Sequence, residues 1–103
     1  MISSTFDFEQ FADTVKEKDF FDVIYLAEQE AIKAWRISNK KKLLNSFDSD
    51  LCRSYQSKLK GLIHFMRYGV KPNGLNEQDD RLFTFLYHHT NPKNRAENHQ
   101  TNR

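Results

Sequence analysis

The chain has 103 residues, of which 38% are hydrophobic and 29% charged, with a formal net charge of +2; this is room for one domain with a modest core. Three glycines and two prolines argue against a turn-rich β fold and leave little material for a phosphate-cradling loop. The single cysteine, Cys52, allows no intramolecular disulfide, and no run approaches the roughly 18 consecutive apolar residues that a membrane span needs.

At the N-terminus, Ser4 or Thr5 can cap a first helix, with Asp7 and Glu9 suited to the positive end of its dipole. Phe8, Phe11, Ala12 and Val15 fall on one face at helical spacing, and the helix is expected to end near Glu17. The first ten residues show no basic segment followed by an apolar run, so no secretory signal is read there and a cytoplasmic location is expected.

Asp19 restarts the pattern as an N-cap, with Asp22 three residues later. The stretch from Asp19 to Ser38 is the longest uninterrupted helical pattern in the chain and the element around which the others are expected to pack. At about 100° per residue, Phe20, Phe21, Val23, Ile24, Ala27, Ala31, Ile32, Ala34 and Trp35 share one arc of roughly 200°. An ordinary surface helix carries an apolar stripe of little more than about 100°. Trp35 therefore reads as a core residue, and Leu26 and Ile37, which lie outside the arc, read as a candidate dimer or partner seam. Glu28 interrupts the apolar arc. A carboxylate there needs a counter-charge, and Arg53, Arg67 and Arg81 are the candidates.

Lys40, Lys41 and Lys42 follow the central helix, and a third helix is expected from about Asp48. Its core stripe is Leu51, Tyr55, Leu59, Leu62 and Met66, flanked by Cys52 and Ile63. Gly69 can close it, and Pro72-Asn73-Gly74 is a turn. Asn76 can cap a fourth helix, with Glu77, Asp79 and Asp80 in its first turn. Leu82, Phe83, Phe85, Leu86 and Tyr87 are expected to face inward, with His89 leaning the same way, and Asn91-Pro92 stops the helix. The expected architecture is an all-α bundle of three to four helices over residues 1–91, followed by a flexible polar tail over residues 92–103 whose single apolar residue is Ala96.

Charge is segregated along the chain. Residues 1–30 sum to −6 and residues 31–71 to +8, while residues 72–103 balance. On the third helix Arg53, Ser57, Lys60, His64 and Arg67 recur at i, i+4, i+7, i+11 and i+14, and no acid occurs between Leu51 and Lys71. Exposed helices ordinarily mix signs, because opposite charges one turn apart stabilise them. A stripe of one sign calls for a counter-charge from elsewhere: phosphates of a nucleic acid, an acidic protein surface, or Asp7, Asp13 and Glu17 of the same chain.

No nucleotide-binding, hydrolase or Cys-x-x-Cys motif occurs. His88 and His89 are adjacent and diverge on a helix, so the four histidines suggest no metal site. Neither a catalytic residue nor a cofactor is expected. The residues expected to act are Lys40, Lys41, Lys42, Arg53, Lys60, His64 and Arg67, docking an anionic surface of which a nucleic-acid backbone is the leading choice. The alternative is a protein-interaction module that uses Leu26 and Ile37, as a homodimer or in a larger assembly.

Overall fold

The computed structural model describes residues 7–40 and 46–92. Among these the protein is all-α, with four helices: α1 (Phe8–Val15), α2 (Phe20–Lys40), α3 (Ser46–Tyr68) and α4 (Glu77–Thr90). Residues 93–103 of the expected tail lie outside the described residues, as do Ser4 and Thr5. The N-cap of α1 is Asp7, whose carboxylate accepts from the backbone N–H groups of Glu9 and Gln10. That cap shortens α1 at its start, and the helix ends at Val15, ahead of the expected Glu17. Asn76 caps α4 as expected and accepts from the Asp79 N–H at 2.7 Å. Gly69 follows α3 with a φ of 74°, the left-handed geometry that suits glycine after a helix.

The scaffold is an antiparallel hairpin of α2 and α3. The Cys52 thiol donates to the Ala34 carbonyl at 3.0 Å, the Gln56 amide to the Ala31 carbonyl at 3.4 Å, and the Tyr55 hydroxyl to Glu30 Oε1 at 3.2 Å. The later helix thus runs back along the earlier one. Val23, Ala27 and Ala34 of α2 meet Cys52, Leu59 and Leu62 of α3, all at 1% exposure or less. Alanines at these positions keep the α2 backbone close to its neighbour.

Helices α1 and α4 form a second layer on one side of the hairpin. They touch each other through Phe8 and Phe83, whose rings lie 5.6 Å apart. Phe83 and Tyr87 of α4 stack on Phe65 of α3, and Tyr87 also meets Phe20 of α2 edge-on. Phe65 is buried, although it lies off the stripe read from the sequence. Gly61 is where the chain after α3 approaches closely: a Cβ there would sit 3.0 Å from Pro72 Cγ. Two ion pairs hold α4 in place, Lys58 of α3 to Asp79 at 3.1 Å and Lys71, in the connection after α3, to Asp80 at 2.6 Å. Asp79 is buried, and Lys58 also lies 6.0 Å from the centre of the Phe8 ring. Phe85, expected inside, is partly exposed, and His89 lies exposed over its ring at 4.2 Å.

Candidate docking face

With α1 and α4 on one side, the opposite side of the hairpin is left open by the described residues. The two flanks of α2 show this. On one flank Leu26 and Glu30 border α1, meeting Phe11 and Val15 around a cavity of about 240 Å³. Leu26 and Ile37 are partly buried and pack against the core. On the other flank Phe21, Tyr25, Ile32 and Trp35 are 70%, 58%, 44% and 51% exposed. The apolar arc of roughly 200° is therefore split. The covered part centres on Phe20, Ala27 and Ala31, and Trp35, Phe21 and Ile32 stand outside it. The reason is steric: α3 and the α1/α4 layer meet α2 from only part of that arc, and an arc of roughly 200° exceeds what those neighbours cover.

Helix α3 borders the same open side. Arg53, Ser57, Lys60, His64 and Arg67 are all exposed. The Arg67 guanidinium reaches across to the Glu28 carboxylate, tying this stripe to the exposed flank of α2. Glu28 thereby finds its counter-charge in Arg67, one of the three arginines the sequence offers. Both stripes repeat at i, i+4, i+7, i+11 and i+14: Phe21, Tyr25, Glu28, Ile32 and Trp35 on α2, and Arg53, Ser57, Lys60, His64 and Arg67 on α3. The result is a long face with an apolar edge and a cationic edge.

The counter-charges of the cationic edge come from close by and only in part. Arg53 pairs with Asp50 one turn back, at 2.9 Å with both side chains well exposed. Such an exposed pair is worth about 0–1 kcal/mol and yields readily to a better partner. Lys60 has no ion pair among the described residues, and the His64 ring lies 4.9 Å from Tyr68. Among the described residues no ion pair joins Asp7, Asp13 or Glu17 to this edge; Asp7 caps α1 and Asp13 pairs with Lys16. Lys40 closes α2, whereas Lys41 and Lys42 lie outside the described residues.

At the foot of the face, near the end of α4, an open cavity of about 640 Å³ is lined by Phe20, Phe21, Ile24, Met66, Arg67 and Tyr87, among others. Its floor is apolar and its charged group is Arg67. Elsewhere, Cys52 is buried, and burial pushes its thiol pKa up, which favours the inert protonated form. Tyr55 is likewise pushed up, first by burial and then by Glu30 beside it. Among the described residues no three His, Cys, Asp or Glu side chains gather as a metal site would require. No described helix is long and apolar enough to cross a membrane.

No family model matches the sequence, and no curated protein or solved structure matches it at a significant level.

Proposed function

We propose that the protein is a non-catalytic binding module that docks an anionic partner through the open face of the α2–α3 hairpin. The observation that carries this reading is the cationic edge of α3. Arg53, Lys60 and His64 stand exposed beside large apolar side chains, while Asp7 caps α1 and Asp13 pairs with Lys16. The face suits a small regulator, an inhibitor or an assembly subunit acting in the cytoplasm. The buried polar side chains Tyr55 and Asp79 are engaged in holding helices together, Tyr55 with Glu30 and Asp79 with Lys58, which supports a binding role over a catalytic one.

An acidic protein surface has more support than a nucleic-acid backbone. A phosphate backbone rewards unpaired cations, yet Arg67 already has Glu28, and Phe21, Ile32 and Trp35 add an edge that phosphates do not use. The nucleic-acid reading rests on Lys60, His64, a releasable Arg53 and the lysines from Lys40 to Lys42.

The test is a titration of a labelled 16-base-pair DNA duplex, a single strand and poly-glutamate at low and physiological salt. At least one polyanion is expected to bind with affinity that falls as salt rises. Arg53→Glu with Lys60→Glu should abolish that binding, and Glu28→Gln should strengthen it by freeing Arg67. No binding at low salt, or binding indifferent to the Arg53/Lys60 double variant, overturns the reading.

A further inference from the structure

The apolar edge of the face specifies more than negative charge. Phe21, Tyr25, Glu28, Ile32 and Trp35 are separated by four, three, four and three residues, a mean of 3.5. That is the spacing at which one helix presents a seam to another in a left-handed coiled coil. Four of the five are large and half or more exposed, or close to it, so the seam has no occupant among the described residues. From Phe21 to Trp35 it runs about 21 Å at 1.5 Å per residue, room for four turns of a partner helix. Nucleic acid offers no ridge of this period. Trp, Tyr and Arg are the side chains most often found at binding hot spots, and Trp35, Tyr25 and Arg53 lie along this face.

We propose that the face receives an amphipathic helix from a partner protein, with apolar residues at heptad spacing and carboxylates along one flank. This deepens the binding reading above and rests on it. The apolar ridge of the guest lies on Phe21, Tyr25, Ile32 and Trp35, and its carboxylates meet Arg53, Lys60 and His64 of α3. One apolar guest side chain at the foot enters the open cavity floored by Phe20, Ile24 and Met66. Charge decides against a second copy of this chain docked through the same face. No acid occurs on α3 between Leu51 and Lys71, and the seam holds only Glu28, so a copy would bring cations where carboxylates are needed. The chain's own residues 93–103 also fit poorly: their one apolar residue is Ala96, and they carry three bases against one acid.

The experiment selects binders from a displayed library of 18-residue helical peptides, free of Trp, against the full-length protein. Enriched peptides should carry Leu or Ile at heptad spacing and Asp or Glu on one flank. Ile32→Glu should weaken them by at least ~10-fold, about 1.4 kcal/mol, with helix content unchanged by circular dichroism. Ile32→Gln, which removes the apolar contact without adding a charge, should weaken the peptides too and leave polyanion binding intact, because the cations of α3 are untouched. Three results overturn the proposal: enriched peptides without an acidic flank, peptides that bind the Ile32→Glu variant equally, or a self-associated protein that becomes monomeric with Ile32→Glu. If DNA still binds with salt sensitivity while poly-glutamate and these peptides fail, the docking reading stands and its occupant is a nucleic acid. If polyanion binding is absent as well, the docking reading itself has failed.

Discussion

Single residues decide which side of each helix is wet. Glu28 could sit on the apolar arc because Arg67 comes to it across the hairpin. Tyr55 sits between the layers, its hydroxyl given to Glu30 and its ring buried. Burial, with the Glu30 charge beside it, raises the Tyr55 pKa above the usual value of about 10. The folded protein therefore holds this proton more tightly than the unfolded chain does. The stability this contributes is complete below about pH 10 and is lost as pH rises above it. Urea midpoints at pH 8 and pH 11 should fall further in the wild type than in Tyr55→Phe, although the variant starts lower by about 1 kcal/mol for the lost hydrogen bond. Equal falls in the two proteins would contradict this account of Tyr55.

At the scale of elements, the helices themselves were legible in the sequence and their mutual placement was less so. Periodicity located all four, and Asn76 and Gly69 marked boundaries that the structure keeps. The start of α1 was misplaced because Ser4, Thr5 and Asp7 are all competent caps within four residues, and only the fold selects Asp7. The α2 wheel was misread for a different reason. A wheel shows which residues share a face, but not which part of that face the neighbours reach. Leu26 and Trp35 are both apolar. Leu26 is covered because α1 lies on its flank, and Trp35 is exposed because no described helix lies on its own. Asp79 had no distinguishing sequence signal. It looked like a first-turn acid suited to the helix dipole, yet it is buried and holds Lys58. Asp79→Ala should cost about 2 kcal/mol, toward the low side for a buried pair because Lys58 keeps some solvent. Thermal unfolding would register that as a lowered midpoint, and an unchanged midpoint would show that the pair does not fasten α4.

At the scale of the whole molecule, the two layers cover one side of the hairpin and, among the described residues, leave the other open. The cationic stripe was legible from spacing alone, because a run of one sign along a helix needs no knowledge of neighbours. The apolar edge was not, because its residues were indistinguishable from core until α1 and α4 had taken their side. Leu26 and Ile37 pack partly against the core, whereas Phe21, Tyr25, Ile32 and Trp35 are the more exposed apolar residues of α2. Chain-level charge segregation has a similar outcome. The acidic N-terminal third caps α1, pairs with Lys16 and supplies Glu28 to Arg67, yet it leaves Lys60 without a carboxylate among the described residues.

Trp35 is the only tryptophan and lies on the apolar edge, so its emission reports on the face directly. The decisive measurement is that emission during titration with an acidic amphipathic peptide, with binding followed independently by anisotropy of a label on the peptide. A shift to shorter wavelength that saturates together with the anisotropy is the predicted result. Saturated binding with the Trp35 spectrum unmoved would contradict the claim that the open side of the hairpin is where this protein meets its partner.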